Sequence, residues 1–301
     1  MDFNGILFFP LTPFDERGEF HEAAFDQHVS SGLDHGAGGV FAACGTGEIH
    51  ALSAAEHARV VERAIAVTAG RVPVIAGAGG SVSTAIEQAA AARELGADGV
   101  LLLPPYLVNA PQRGLVDYVR TVASAVDIPI IVYQRGTMVF TPDSAAELAE
   151  IPSVVGFKDG VGDLGQMHQI VLAVRKKRGD DFVFFNGLPT AELTFQAYRG
   201  VGVPLYSSAA FAFAPEVATA FYRAAHAGEE LADTLLREFY DPLVRLRDRV
   251  PGYAVSLVKA GARLRGADVG GVRPPFVDPD EADLAELRAI IDTGLALVKE
   301  N

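Results

Sequence analysis

The sequence is poor in cysteine and has no concentration of positive charge, and each scarcity excludes a class of protein. Its one cysteine, Cys44, cannot form an intramolecular disulfide or a cysteine-based zinc site. The net charge is −13 and no run of Lys or Arg stands out, so the basic surface of a nucleic-acid binder is not expected. We predict no nucleic-acid partner and a reducing, cytoplasmic location.

Long apolar runs and a basic leader are also missing. No apolar run approaches the roughly 18 residues that a membrane-spanning helix needs. Residues 1–5 carry no basic group ahead of an apolar stretch, as a secretion signal would. We therefore predict no membrane partner. What the chain does have is a composition that is 50% hydrophobic and 21% charged over 301 residues, which is sufficient for a large globular core.

Short apolar runs alternate with longer stretches of helical period along most of the chain. The runs read as continuously apolar, which is typical of parallel strands buried on both faces. Eight β-helix units predict an α/β fold, the (β/α)8 TIM barrel, with an open doubly wound sheet as the alternative. The predicted strands cover residues 6–9, 39–42, 74–76, 100–103, 130–133, 154–158, 182–185 and 203–206.

Helix start signals support this rhythm, and the chain ends in helices alone. Ser53 to Glu56 fits a capping box, and Thr141-Pro142 fits an N-cap followed by proline at the first helical position. Helical segments are predicted at residues 229–249, 253–264 and 279–299. We therefore divide the chain into a barrel carrying the active site, residues 1–228, and a C-terminal helical extension packed on it, residues 229–301.

Two polar residues close apolar strands, at the barrel face where chemistry is expected. Lys158 follows four apolar residues, and Tyr133 follows three. Burial disfavours a charged ammonium, so Lys158 is a candidate nucleophile for a carbonyl, although a lysine at a strand end can also reach to water. Tyr133 can relay protons or bind substrate, or it can simply fill the barrel. We predict both as catalytic residues.

Candidate substrate-binding residues lie in the loops after the strands. Thr46 and Gly47 offer a hydroxyl and backbone N–H groups to a carboxylate, although glycine-rich turns are common in such loops. Arg135 could clamp a second carboxylate or lie exposed in its loop. The remaining candidates, which could equally be ordinary turn residues, are Gly187, Ser207 and Ser208.

The histidines do not form a predicted metal site. They fall mostly on predicted helix faces and lack paired ligands at strand ends, so we expect solvated surface positions. No metal is predicted. The histidines are at positions 21, 28, 35, 50, 57, 168 and 226.

These residues together resemble the family of Schiff-base barrels that includes dihydrodipicolinate synthase and N-acetylneuraminate lyase. The resemblance spans the chain and rests on residues 9–14, residues 44–48, Tyr133 and residues 156–160. It implies an imine on Lys158, proton transfer by Tyr133, no metal or organic cofactor, a small-molecule 2-keto acid as substrate, and a homo-oligomer, either a dimer or a tetramer.

Departures from the synthase pattern argue against synthase activity and, less strongly, against N-acetylneuraminate lyase activity. The synthase has adjacent hydroxyl residues after strand two, where this chain has Gly45, and an interface tyrosine where this chain has Leu107. Motifs at residues 101–106, 156–163, 187–192, 206–208, 252–256, 258–264 and 272–275 resemble a subgroup that dehydrates and decarboxylates a 2-keto sugar acid. That subgroup usually has other residues at Cys44 and Gln134. The alternatives are a 2-keto-3-deoxy sugar-acid aldolase using the same lysine and a non-catalytic barrel that binds a keto acid.

Overall fold

Eight parallel strands close into a barrel in the order in which they occur along the chain, which confirms the predicted fold class. A computed structural model describes residues 3–299. The strands are β1 (Ile6–Phe8), β2 (Ala37–Ala42), β3 (Val74–Ala78), β4 (Gly99–Leu102), β5 (Ile130–Gln134), β6 (Val154–Asp159), β7 (Val183–Asn186) and β8 (Leu205–Ser208).

Burial explains why the apolar runs form the strands. Every residue of β1 to β5 is buried, as expected for strands covered on both faces. The predicted boundaries are displaced by one or two residues at several strand ends. Strands β5, β6 and β7 each extend one residue further than predicted, to Gln134, Asp159 and Asn186. These polar residues can lie in buried strands because they have buried hydrogen-bond partners, which the sequence pattern does not reveal.

The helices follow the strands as predicted. They are α1 (Glu22–Asp34), α2 (Ala54–Thr68), α3 (Val82–Leu95), α4 (Gln112–Ala125), α5 (Pro142–Ala149), α6 (Leu164–Arg178), α7 (Phe195–Gly200), α8 (Pro215–Ala227), α9 (Glu230–Leu235), α10 (Asp241–Arg247), α11 (Tyr253–Leu264) and α12 (Glu281–Lys299). Both start signals are confirmed, because Ser53 and Glu56 form a complete capping box and the Thr141 hydroxyl accepts the Ser144 N–H.

The described residues divide into two compact units. One unit, residues 73–207, contains β3 to β7, α3 to α7 and most of β8. Within it, each strand from β3 to β7 pairs in parallel with the next. This unit carries Lys158 and Tyr133.

The other unit, residues 3–72 and 208–299, contains β1, β2 and the helices α1, α2 and α8 to α12. Its last helix, α12, packs against α8, α10 and α11. A division of the chain after residue 228 stays a prediction. The predicted helix over residues 229–249 is interrupted by a π-helical turn at Leu236–Tyr240, between α9 and α10. Across residues 3–299, no helix has both the length and the apolar character that a membrane span requires.

The expected exposure of the histidines is wrong at two positions. His28 is 9% exposed and His57 is 2% exposed. His28 lies one turn from Ala24 on the buried face of α1, and His57 lies one turn from Val60 and Val61 on the buried face of α2. Helical spacing therefore places both on inward faces. Burial lowers the pKa of His28 to about 4, so its ring is neutral near pH 7.

Candidate active site

Lys158 lies in a row of side chains formed by three neighbouring strands. In the parallel register, Tyr133 of β5 pairs with Lys158 of β6, which pairs with Phe185 of β7. Residues paired in this way project to the same side of a sheet. The next row contains Asp159, which contacts the helical layer through Tyr198 of α7, so the Lys158 row faces the barrel interior.

The Lys158 amine is surrounded by aromatic rings. Lys158 is only 4% exposed. Its Nζ atom lies 4.3 Å from the centre of the Tyr133 ring and 5.4 Å from the centre of the Phe185 ring. An amine shielded from water beside rings is a suitable nucleophile for a carbonyl carbon, because it loses little hydration when it forms a covalent bond.

The chain's other lysines do not share this environment. Lys259 is buried, but its Nζ atom lies 2.7 Å from a carboxylate oxygen of Glu48. The remaining lysines are exposed near helix C-termini, at Lys176, Lys177 and Lys299. Among the lysines of residues 3–299, Lys158 is therefore the one that lies beside the Tyr133 and Phe185 rings at the end of a barrel strand.

The Tyr133 hydroxyl is held in place by two hydrogen bonds beside Lys158. It donates to the carbonyl oxygen of Gly187 at 2.9 Å and accepts from Nη1 of Arg135 at 2.9 Å. The bond from Arg135 is charge-assisted, and the bond to Gly187 fixes the direction of the O–H group. The hydroxyl is thus oriented, and its environment suits a group that moves protons.

Arg135 therefore has a partner that the sequence did not reveal. Its main chain forms a tight two-way bridge with Met138, with both N···O distances at 3.1 Å. This bridge turns the loop after β5 back on itself and directs the guanidinium to the Tyr133 hydroxyl. Arg135 is nevertheless an exposed residue, and its role as a clamp for a substrate carboxylate stays a prediction.

Two glycines leave the space that Lys158 and Tyr133 occupy. A Cβ atom at Gly187 would overlap the aliphatic part of the Lys158 side chain, and one at Gly160 would lie 2.8 Å from the Tyr133 hydroxyl oxygen. The Gly187 N–H also donates to the main-chain oxygen of Asp159 at 2.6 Å, which keeps β7 close to β6. The predicted binding residue Gly187 thus contacts both predicted catalytic residues.

We expect Gly187→Ala to displace the Lys158 amine and to lower kcat by about 10²-fold, since a misplacement of about 1 Å can have that effect. Single-turnover kinetics and thermal unfolding would measure the two consequences separately. Gly200→Ala is the matched control, because no heavy atom lies within 4 Å of a Cβ atom there. An unchanged rate in Gly187→Ala would show that the close approach does not set the position of Lys158.

Asp159 anchors the end of β6 directly beside Lys158. Its carboxylate is fully buried and accepts hydrogen bonds from Tyr198 Oη at 2.5 Å and Gln134 Nε2 at 2.7 Å, as well as from the N–H groups of Val161 and Gly162. Burial, followed by the hydrogen bond and the charge of Asp159, raises the pKa of the Tyr198 phenol. The donors satisfy a buried charge that would otherwise be costly.

Sequence reasoning missed this network. Gln134 also accepts the Phe140 N–H at 3.1 Å, so it ties the end of β5 to the loop that carries Arg135. One feature of the sequence could have indicated the network: an acidic residue, Asp159, follows Lys158 at the end of an apolar strand. A buried carboxylate requires hydrogen-bond partners. The partners themselves are distant in sequence and could not be named.

We expect Tyr198→Phe to destabilise the protein by about 1–3 kcal/mol, because the buried Asp159 carboxylate loses its shortest hydrogen bond. Denaturant unfolding would measure the change. Tyr106→Phe is the control, since Tyr106 is 77% exposed. Equal stability of the two variants would mean that the Tyr198–Asp159 contact contributes nothing measurable.

Asn186 fixes the loop that follows β7 and contains Gly187. Its Nδ2 atom donates to Thr194 Oγ1 at 2.8 Å, and its Oδ1 atom accepts the Leu188 N–H at 3.0 Å. Ser207 Oγ donates to the Asn186 main-chain oxygen at 3.4 Å. Ser207, which is partly exposed, therefore lies beside the Asn186–Gly187 segment within this unit.

The remaining candidates lie in the other unit. Thr46 is half-buried and Gly47 is buried in a tight turn after β2, where Thr12 Oγ1 donates to the Gly47 oxygen at 2.7 Å. Ser208 is fully buried and accepts the Phe211 N–H at 3.1 Å, so its hydroxyl supports the turn after β8. Substrate contacts by Thr46, Gly47 and Ser208 stay predictions.

A parallel (β/α)8 barrel with a buried lysine on its sixth strand, and an oriented tyrosine on its fifth, defines the class of barrel enzymes that act through a lysine imine. The sequence model of the Dihydrodipicolinate synthetase family matches residues 2–293. The chain belongs to this family, which confirms the resemblance seen in the motifs.

Named relatives specify the subgroup. The chain is 54% identical to a probable 5-dehydro-4-deoxyglucarate dehydratase of Streptomyces griseus, over 100% of this chain and 94% of the relative. It is 46% identical to a protein of the same name from Paracidovorax citrulli, over 96% of this chain and 95% of the relative. Both likenesses extend over nearly the whole length of each protein.

Solved structures of the family share the fold. Dihydrodipicolinate synthase from Oceanobacillus iheyensis superposes with a TM-score of 0.89 at 27% identity, covering 97% of this chain and 96% of that one. The enzyme from Acinetobacter baumannii, solved in complex with pyruvate, superposes with a TM-score of 0.85 at 28% identity, covering 97% and 99%.

Proposed function

We propose that the chain is a lyase that dehydrates and decarboxylates 5-dehydro-4-deoxyglucarate to 2,5-dioxopentanoate. The observation that carries the proposal is the buried Lys158 amine beside the Tyr133 ring, in the space left by Gly187 and Gly160. The names of relatives that are 46% and 54% identical over nearly full length support the choice of substrate.

The reaction begins with an imine. The neutral Lys158 amine adds to the keto carbon, and loss of water from the adduct gives an iminium ion that withdraws electrons from the neighbouring carbons. The aromatic walls formed by Tyr133 and Phe185 exclude water from this bond. The CH₂ group next to the imine carbon becomes acidic as a result.

Tyr133 moves the protons. Its hydroxyl, which is held by Gly187 and Arg135, takes part in removing a proton from the CH₂ group and in delivering one to the departing β-hydroxyl. Loss of that hydroxyl as water leaves an iminium conjugated with a carbon–carbon double bond. No electrons leave the substrate at this step, so no redox cofactor is required.

Decarboxylation uses the extended conjugation. The bond between the distal carboxylate and its carbon breaks, and the electron pair moves along the conjugated chain to the imine nitrogen. Carbon dioxide leaves, and the carbon that bore it, which still carries a hydroxyl group, becomes part of an enol. Protonation of the chain on carbon converts this enol to an aldehyde, and hydrolysis of the imine frees Lys158 and 2,5-dioxopentanoate. One substrate thus gives one dioxo acid, one carbon dioxide and one water, and neither a metal nor an organic cofactor takes part.

Two carboxylates of the substrate need partners. For the carboxylate beside the keto group, Thr46 and Gly47 are the proposed partners, because a hydroxyl and backbone N–H groups suit an anion. For the distal carboxylate the candidates are Arg135, Ser207 and Ser208. Arg135 is the only cation among these three residues, and its guanidinium also donates a hydrogen bond to the Tyr133 hydroxyl.

The assembly and location complete the proposal. We infer a cytoplasmic homo-oligomer, either a dimer or a tetramer, with a small 2-keto sugar acid as its partner and with no nucleic-acid or membrane partner. A solved structure described as the first monomeric dihydrodipicolinate synthase variant, 26% identical to this chain, shows that relatives differ in this respect. Sedimentation of the purified protein would determine the state.

Product analysis tests the function. Purified protein is incubated with 5-dehydro-4-deoxyglucarate while carbon dioxide, 2,5-dioxopentanoate and pyruvate are followed together, with Lys158→Ala as the inactive control. Carbon dioxide and 2,5-dioxopentanoate in equal amounts are expected. Pyruvate would instead identify a 2-keto-3-deoxy sugar-acid aldolase, and the absence of all three would exclude this substrate.

A further inference from the structure

A buried ion pair lies directly behind the predicted carboxylate-binding turn. Lys259 of α11 and Glu48 are both 0% exposed, and Lys259 Nζ lies 2.7 Å from Glu48 Oε1. The other carboxylate oxygen, Oε2, accepts the main-chain N–H of Arg273 at 2.9 Å. Each oxygen of the Glu48 carboxylate therefore has a donor, and the donors come from two separate segments of the C-terminal part of the chain.

The two cationic side chains are themselves fixed. Both pack against the Phe14 ring, with Lys259 Nζ 4.0 Å and Arg273 Cζ 3.9 Å from its centre. The Arg273 guanidinium donates to the Gly18 and Ala51 carbonyl oxygens and to the carboxylate of Glu56. Lys259 and Arg273 thus form a rigid support for Glu48 rather than a pair of mobile surface charges.

Glu48 immediately follows Thr46 and Gly47, and its backbone is constrained. Its φ angle is +56°, a left-handed conformation that a residue with a Cβ atom adopts at a cost. The preceding Gly47 has its carbonyl held by Thr12 Oγ1 at 2.7 Å, and a Cβ atom there would lie 3.2 Å from the Pro10 oxygen. The anchored side chain of Glu48 therefore helps to set the direction of the Thr46–Gly47 peptide.

We propose that Lys259 is a positioning residue for substrate binding: through Glu48 it holds the Thr46 hydroxyl and the Gly47 N–H in the orientation that receives the carboxylate beside the keto group. This inference rests on the proposed function, in which Thr46 and Gly47 bind that carboxylate. It assigns a role to a residue 211 positions away from Glu48 in sequence.

Burial of the pair carries an energetic cost. Burial, the largest cause, lowers the pKa of Lys259 to about 8 despite the opposing effects of Glu48 and Asp278, while Arg263 lowers it further. A folded-state pKa below the ordinary value means that the charged lysine is disfavoured by folding, and this penalty is relieved only as the pH rises from about 8 toward 10.5. Buried ion pairs can often be replaced by uncharged side chains without loss of stability.

The test compares three variants by trapping pyruvate, the simplest 2-keto acid, on the protein with borohydride. The variants are Lys259→Met, the double variant Glu48→Gln/Lys259→Met, and the control Lys177→Met. Lys177 forms an exposed ion pair with Glu150 at the same 2.7 Å distance, so the control removes a comparable contact from the surface. For each protein, the trapped fraction is measured against pyruvate concentration, and the midpoint of thermal unfolding is recorded.

In Lys259→Met we expect the pyruvate concentration for half-maximal trapping to rise about 10-fold, the factor that corresponds to 1.4 kcal/mol of binding. The unfolding midpoint should fall as well, because Glu48 is left buried without its cation. The double variant should regain the midpoint, since the uncharged glutamine side chain can still accept the Arg273 N–H, but it should keep the raised concentration. Maximal trapping should match the wild type in all three variants.

Two results would overturn the inference while leaving the proposed function intact. If the double variant recovers both stability and the wild-type pyruvate concentration, the ion pair acts only in folding. If Lys259→Met keeps the wild-type concentration, Lys259 does not position the turn. In both cases the wild type is trapped and the imine chemistry stands. If the wild type itself is not trapped, the proposed function fails and the inference fails with it.

Discussion

Lys158→Ala is expected to abolish trapping of a 2-keto acid by borohydride and to lower turnover by about 10⁴-fold or more, the scale on which removal of a catalytic nucleophile acts. The reason is structural as well as chemical. Lys158 is buried and lies beside the rings of Tyr133 and Phe185, and no other lysine among residues 3–299 contacts these two rings.

Lys158→Arg is the matched control for side-chain length. A guanidinium can occupy much of the same space but does not form the imine, so we expect this variant to be as inactive as Lys158→Ala. Both variants should unfold close to the wild-type temperature. Trapping that persists in either variant, on a folded protein, would place the nucleophile at another residue.

Tyr133→Phe is expected to lower kcat by about 10²–10⁴-fold, the usual contribution of a general acid or base. The ring that borders Lys158 remains in this variant, while the hydroxyl that contacts Arg135 and Gly187 is lost. Imine formation with pyruvate should therefore persist, although more slowly. Steady-state turnover and the rate of borohydride trapping measure the two steps separately.

The comparison that makes this result specific is Tyr118→Phe. Tyr118 is also largely buried, and its hydroxyl donates to the Leu103 oxygen at 3.3 Å, so the substitution removes a similar hydrogen bond on the helical layer. We expect near wild-type kcat there. A near wild-type kcat in Tyr133→Phe as well would reduce Tyr133 to a packing residue and would require another group to move the protons.

The sequence predicted the barrel well because its signal is local. A parallel strand covered on both faces needs a continuous apolar run, and such runs are visible without knowledge of the partner strands. Their ends were less certain. β6 and β7 extend to Asp159 and Asn186, because these polar side chains are satisfied by Tyr198 and Thr194 on the helical layer. The apolar pattern contains no information about those contacts.

In the candidate site, the residues at strand ends were predictable from the sequence, and the contacts between distant segments were not. Lys158 and Tyr133 were found because each closes an apolar strand, and the register of β5 and β6 places them side by side. The contact of Arg135 with Tyr133 depends on a tight loop that its sequence does not specify. The pair of Lys259 and Glu48 joins segments that are 211 residues apart, so it becomes visible only in three dimensions.

The histidines illustrate a related limit. His28 and His57 have the spacing of buried helix positions, but a polar residue type suggested a solvated face. Periodicity was the better guide in both cases, because histidine is intermediate between the apolar and the charged residues in how often it is buried.

The covalent adduct formed during turnover tests most directly whether Lys158 carries the sugar acid through dehydration and decarboxylation. Wild-type protein is mixed with 5-dehydro-4-deoxyglucarate, reduced with borohydride during turnover, digested, and analysed by mass spectrometry. We predict an adduct on the peptide that contains Lys158, with a mass showing a carbon chain that has lost water and carbon dioxide. A pyruvate-derived adduct on Lys158, or an adduct on any other lysine, would contradict this role of Lys158.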